Sequence, residues 1–147
     1  MKRFQFRFEK VLSYRRHQEK QKQRDLAAAE NLRRLQEQTI AATLAERARL
    51  QQEQNRHMTG TVDPRRLNRY TRYYLSLKHR ELADREILAR IEKEAERRRM
   101  ELIEAAKERK IYEKLEERHY ERYQGEYNSL LQKETDDLGQ KIHWRKQ

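Results

Sequence analysis

The chain has 147 residues, of which 41% are charged and 35% apolar, and it contains three glycines, one proline and no cysteine. Lys and Arg outnumber Asp and Glu by 36 to 25, for a formal net charge of +11. These counts exclude a turn-rich all-β fold and a disulfide framework, and they fall outside the ordinary globular range of about 45–50% apolar and about 25% charged. Ala, Glu, Lys, Leu, Arg and Gln dominate, and all are strong helix formers. Disordered chains are richer in Pro, Ser and Gly, so long helices with a narrow apolar seam are expected. No stretch reaches the roughly 18 apolar residues of a membrane span. The basic start lacks the apolar region of a signal peptide. The expectation is a cytosolic protein forming a single coiled-coil unit over 1–147, without a transmembrane segment.

In chain order, the opening Phe4-Gln5-Phe6-Arg7-Phe8 alternates as a strand would, followed by Val11 and Leu12. Three readings are open: a hydrophobic staple for the helix start, a docking peptide, or a weak membrane anchor backed by Lys2, Arg3, Arg7 and Lys10. Helix one is expected over about 5–57. Its most regular heptad row is Val11, Tyr14, Ala28, Leu32, Leu35 and Ala42, interrupted by Gln18, Gln21 and Asp25. Leu12, Leu26, Ile40, Leu44 and Leu50 broaden the stripe elsewhere.

A break follows at about 58–63. Gly60 suits a helix terminator, and Asp63-Pro64 suits an N-cap followed by a first helical position. Helix two is expected over about 64–138, with a basic tail at 139–147. With Leu67 as a and Tyr70 as d, twelve of the nineteen a and d positions through Leu130 are apolar or Tyr. A strict seven-residue repeat favours a left-handed coiled coil. A short connection makes two amphipathic helices antiparallel neighbours. The predicted fold is therefore all-α, two long helices in an antiparallel coiled-coil hairpin, at 1.5 Å per residue about 80 and about 110 Å long. The alternative is two solvated single helices held by pairs such as Glu30–Arg34, Glu81–Arg85, Glu86–Arg90 and Glu94–Arg98. The apolar seam speaks for the hairpin. Folding about residue 60 brings residue 3 near about 118. The stretch 119–138, with Tyr120, Tyr123, Tyr127, Leu130 and Leu131, is then left without a partner in the monomer, and another protein is expected to finish it.

The charge is unevenly placed: residues 1–24 carry +7, 25–62 carry 0, 63–80 carry +5, 81–138 carry −4 and 139–147 carry +3. Antiparallel pairing gathers the excess at two ends, and such ends attract acidic surfaces through long-range fields. An acidic protein, a nucleic acid and an anionic membrane all remain open on charge alone.

Catalytic chemistry has no visible seat. The glycines do not form a phosphate-binding fingerprint, and the histidines His17, His57, His79, His119 and His143 lack zinc spacing. No apolar pocket is expected to raise a carboxylate pKa, so neither enzyme activity nor a cofactor is expected. Two patches suggest binding. One is Leu67, Tyr70, Tyr73, Tyr74 and Leu77 among Arg65, Arg66, Arg69 and Arg72, and Tyr and Arg are enriched at interface hot spots. Packing on helix one explains the tyrosines equally well, and single-stranded nucleic acid could stack on them. The other is the Phe4, Phe6, Phe8, Val11, Leu12 opening. Trp144, in the basic tail, reads as a loose end or an anchor.

The opening Phe4-x-Phe6-x-Phe8-x2-Val11-Leu12, the break, the run Leu67-x2-Tyr70-x2-Tyr73-x3-Leu77, and the ending from Tyr112-Glu113-Lys114-Leu115 to Glu134-x-Asp136-Asp137 together resemble the FliJ family of flagellar export proteins, over nearly the whole chain. The resemblance implies a cytosolic, non-enzymatic antiparallel coiled coil, similar to the central stalk of rotary ATPases, in the flagellar type III export apparatus. It implies three partners: the hexameric export ATPase, the cytoplasmic domain of the membrane export gate, and export chaperones. It places gate contacts at Tyr70, Tyr73, Tyr74 and Leu77, with Arg80 and Asp84 departing from the family pattern. ATPase-ring contacts fall at the end bearing both termini, at Phe4, Phe6, Arg7, Phe8, Lys10, Tyr120, Tyr123, Tyr127 and Leu130. The runners-up are the stalk of a virulence type III secretion system, a basic coiled coil that binds nucleic acid, and a structural homodimer.

Overall fold

The computed structural model describes residues 3–144, the side chains of Ile142 and His143 excepted. Lys2 of the opening, and Arg145 and Lys146 of the basic tail, lie outside the described residues, as does the side chain of His143. The fold is all-α: two long helices, α1 (Glu9–His57) and α2 (Pro64–Trp144), packed against each other. Among the described residues no helix is long and apolar enough to cross a membrane.

Both helix ends differ from the sequence expectation. The first begins at Glu9 rather than near residue 5, because the phenylalanine segment packs on α2 through a turn at residues 7–8 instead of joining the helix. The amide of Glu9 donates to the Phe6 carbonyl (3.2 Å) and that of Leu12 to the Phe8 carbonyl (2.9 Å), which closes the helix start. The second runs past 138 to Trp144, with Gly139 inside it. One glycine in an exposed helix costs only about 1 kcal/mol relative to Ala, too little to end a helix already under way.

The connection is built as the sequence suggests. Gly60 has φ 115°, a backbone conformation in which a Cβ would be strained. The Thr59 hydroxyl donates to the Arg56 carbonyl at 3.1 Å. The Asp63 carboxylate accepts the Arg65 amide at 3.0 Å, and its carbonyl accepts the amides of Arg66 and Leu67. Asp63 is thus an N-cap, and Pro64 fills the first position, where a missing N–H costs nothing.

The chain packs as two compact units, Met1–Gln21 with Ile103–Gln147, and Lys22–Leu102. In the second, α1 and α2 run antiparallel: Lys22 Nζ meets Glu101 (2.7 Å), while near the connection Arg47 meets Glu81 (2.5 Å). Its buried apolar side chains are Ala29, Ile40, Leu77 and Ala95. In the first, Leu12 is fully buried and Phe6 nearly so, and Arg15 pairs with Glu108 and Arg109 with Glu19.

The heptad register expected for α2 holds. In the Lys22–Leu102 unit every a and d position from Tyr70 to Leu102 is buried or half-buried, and in the other unit so is every one from Ala105 to Tyr123. Several polar members are stitched across to α1. Glu81 takes Arg47, Asp84 accepts Gln36 Nε2 at 3.2 Å, and Arg98 faces Asp25 at 3.7 Å.

The register expected for α1 is wrong by one residue. Tyr14, Leu32 and Leu35 are more than half exposed, and Ala28 and Ala42 face solvent. The residues turned to α2 are Leu12, Arg15 and Glu19 in one unit, and Lys22, Leu26, Ala29, Arg33, Gln36, Ile40, Thr43, Arg47 and Leu50 in the other. Seven of these twelve residues are polar. Long Arg and Lys stems cover apolar surface while their charged heads reach the rim, and there they meet carboxylates of α2. Counting apolar residues alone picks the neighbouring row.

The helix-surface pairs form in part. Glu81–Arg85 and Glu94–Arg98 are present at 2.9 and 2.8 Å. Glu30 turns instead to Arg33 and, across the helices, to Arg99.

Candidate partner-binding surfaces

In the unit formed by Met1–Gln21 and Ile103–Gln147, the phenylalanine segment is strapped onto α2. The Phe4 ring lies edge-on to Tyr120 (5.2 Å) and tilted on Tyr123 (5.5 Å). Phe6 meets His119 at 5.7 Å and Phe8 at 5.9 Å, and Phe8 reaches Tyr112 at 6.3 Å. Such edge-to-face contacts contribute about 0.5–1.5 kcal/mol each beyond area burial. The opening is thus a strap across to α2 rather than a staple within the start of its own helix, with Phe6 buried and Phe4 and Phe8 half-buried. Arg7 is exposed, its guanidinium 5.8 Å from the Phe8 ring centroid, and Lys10 is exposed. The residue 3 to 118 proximity expected from the hairpin appears as the Phe4–Tyr120 contact.

Beyond that contact the tyrosines continue along α2. Tyr120, Tyr123 and Tyr127 stack in succession with centroids 6.4 and 6.3 Å apart. Tyr120, Tyr127, Leu130, Leu131 and Leu138 are all at least 43% exposed, and every described residue from Gln124 to Lys141 is exposed. This is a lone amphipathic helix with an open apolar stripe. Trp144 is 82% exposed at its described end. An open groove of about 740 Å³ lies beside Phe4 and Tyr120, lined also by Arg16, Lys110, Glu113 and Glu117.

In the Lys22–Leu102 unit the other candidate residues split. Leu77 is buried in the seam. Tyr70 and Tyr74 stack at 6.1 Å and are half-buried, and the Arg47 guanidinium lies 5.8 Å from the Tyr74 ring centroid. Tyr73 stands outside the seam and is exposed, its hydroxyl donating to Glu46 at 3.2 Å. A groove of about 630 Å³ beside it is lined by Leu50, Glu53, His57, Arg66, Arg69 and Tyr70, among others. The structure thus brings Tyr70, Tyr73 and Tyr74 to one place, with only Tyr73 freely presented.

Perturbed carboxylates belong to the zipper, not to a reactive site. Glu94 falls to about 2 because Arg97 hydrogen-bonds it and Arg98 assists, against a smaller desolvation cost. Glu81 is lowered chiefly by Arg85, Glu101 by Lys22, and Glu113 by Arg109. Arg109 is raised by Glu113 and then Glu19. Among the described residues no group of three or more His, Asp and Glu could hold a metal ion.

Two features escaped the sequence. The α1 row at Ala28, Leu32, Leu35 and Ala42, apolar in sequence, is exposed. The aliphatic residues of the connection, Met58 and Val62, are about half exposed, and the only signal for them is their place in a turn that is normally polar.

The family model described as flagellar FliJ protein matches residues 4–147, strap, connection and lone helix included. This chain belongs to the flagellar FliJ family. It is accordingly a protein associated with flagellar type III export. No curated protein matches it, nor does any solved structure.

Proposed function

We propose that this FliJ-family chain is a non-enzymatic coupling element that joins the hexameric export ATPase to the cytoplasmic domain of the membrane export gate and assists export chaperones. In this proposal it works in the cytoplasm, peripherally at the membrane, and hydrolyses nothing itself. The observation that carries it is the stripe Tyr127, Leu130, Leu131 and Leu138, apolar, helical in spacing and covered by nothing among the described residues. Such a surface calls for a protein partner. Tyr120 and Tyr123 continue the stripe toward the strap. Phe4 holds those tyrosines in place, Phe6 and Phe8 seat the strap on His119 and Tyr112, and Arg7 and Lys10 add positive charge toward an acidic pore. Gate contact is assigned to Tyr73, with Tyr70, Tyr74 and Leu77 setting its position.

Binding of the purified chain to the ATPase and to the gate domain tests both assignments separately. Tyr127→Ala with Leu130→Ala is expected to weaken ATPase binding by about 30-fold, as a hot-spot loss of about 2 kcal/mol requires, and to leave gate binding unchanged. Tyr73→Ala is expected to do the reverse. Wild-type chain that binds neither partner at low salt would refute the proposal.

A further inference from the structure

The start of α2 carries a charge arrangement for which the fold has no use. Arg65 and Arg66 sit in its first turn, which holds no acidic residue. Cations there oppose the helix dipole and lower stability. Arg69 and Arg72 follow, and all four side chains are exposed and make no hydrogen bond or ion pair among the described residues. Elsewhere in the same unit Arg47, Arg85, Arg97, Arg98 and Arg99 hold carboxylates; Arg24, Arg56, Arg80 and Arg90 do not, but they are spread along the helices, whereas Arg65, Arg66, Arg69 and Arg72 fall within eight residues. The one acid between 63 and 80, Asp63, is spent on capping the Arg65 amide. Glu53 lines the groove with Arg66 and Arg69 but pairs with neither. Beside these cations the chain exposes aliphatic surface, with Met58 at 51%, Val62 at 42% and Leu67 at 38%. A local rule is broken here with no compensation among the described residues, which is the pattern expected of a functional surface.

We propose that the connection and the first turns of α2 form a docking tip for an anionic lipid bilayer. Guanidinium groups bind phosphate with two parallel hydrogen bonds, so Arg65, Arg66, Arg69 and Arg72 take the headgroups. Met58, Val62 and Leu67 enter the boundary between headgroups and acyl chains, where apolar area adds to electrostatic attraction. Nucleic acid fits less well: stacking along a strand needs several free aromatic faces, whereas Tyr70 and Tyr74 are stacked on each other and half-buried, which leaves Tyr73 alone exposed. The proposal uses different residues from the gate assignment of Tyr73 and does not rest on it.

Co-sedimentation of the full chain with vesicles tests it, comparing phosphatidylcholine alone with a phosphatidylcholine–phosphatidylglycerol mixture. Binding is expected to the mixture and not to phosphatidylcholine alone. Each basic residue near an anionic surface contributes about fivefold, so Arg65→Gln with Arg66→Gln is expected to weaken binding by about 25-fold. Met58→Ser with Val62→Ser is expected to weaken it by roughly tenfold. All four sites are exposed, so far-UV circular dichroism should be unchanged in both variants. Failure to bind the mixed vesicles would overturn the proposal. So would undiminished binding by the arginine variant, which would place the lipid contact at the basic N-terminal segment. Full binding by the serine variant, with equal retention on polyglutamate or single-stranded DNA, would overturn it in favour of a purely electrostatic surface for another polyanion.

Discussion

Ile40→Ala and Leu35→Ala, both on α1 in the Lys22–Leu102 unit, test which row of that helix faces α2. Ile40 is 7% exposed and Leu35 is 51% exposed. Replacing Ile40 by Ala removes three carbons, about 2.4 kcal/mol at about 0.8 kcal/mol each. A cavity term adds to this, but two helices can close partly over a gap, so the total should sit near the lower end of the about 2–5 kcal/mol seen for such changes. Leu35 loses only its half-covered surface and gains slightly in helix propensity, for a net cost below about 1 kcal/mol. For a chain of this size about 1 kcal/mol moves Tm by about 2–4 °C. Thermal melts followed by far-UV circular dichroism should therefore show a fall of about 5–10 °C for Ile40→Ala and under about 3 °C for Leu35→Ala. Equal destabilisation, or a larger effect at Leu35, would refute the register and return the seam to the Ala28, Leu32, Leu35, Ala42 row.

Phe6→Ala should free the strap without unfolding the helices: near-UV circular dichroism of the tyrosines changes, far-UV ellipticity holds, and amides near Tyr120 and Tyr123 exchange faster. Acid should loosen the zipper. Glu81, Glu94, Glu101 and Glu113 are all held below the usual value of 4.5 in the folded chain. Their stabilisation is present above the unfolded value and is lost as pH falls through the folded ones. The melting temperature should thus decline from about pH 4.5 toward the Glu94 value of about 2, and a flat profile there would contradict the pairing. Exchanging Glu19→Arg and Arg109→Glu singly should lower Tm, and the double exchange should recover part of the loss, which would be absent if the pair were incidental.

Most of the architecture was legible because its signals are local. Asp63-Pro64 caps a helix wherever it stands, and Gly60 marks the turn before it. The seam of α2 was legible because Leu77, Leu88, Ile91, Ala95 and Leu102 keep one phase over many turns. The seam of α1 was not, since Arg15, Glu19, Lys22, Arg33 and Arg47 become interior residues only through their partners on α2. A charged residue in a heptad carries no sign of the carboxylate or guanidinium it will meet. The apolar row one position away then offers a false match. The phenylalanine alternation was ambiguous for the same reason: Phe6 is core only because the strap lies on α2, where His119 meets it. The open stripe beyond Tyr123 was legible from chain lengths alone, as the part of helix two with no helix one opposite.

The central claim is that this chain couples to an export ATPase through the lone helix of α2. ATP turnover by the purified ATPase, measured with and without the chain, tests it most directly. Wild-type chain should raise turnover or promote ring assembly, and Tyr127→Ala with Leu130→Ala should abolish that effect while leaving helicity intact. Turnover unchanged by the wild-type chain, or raised equally by the variant, would contradict it.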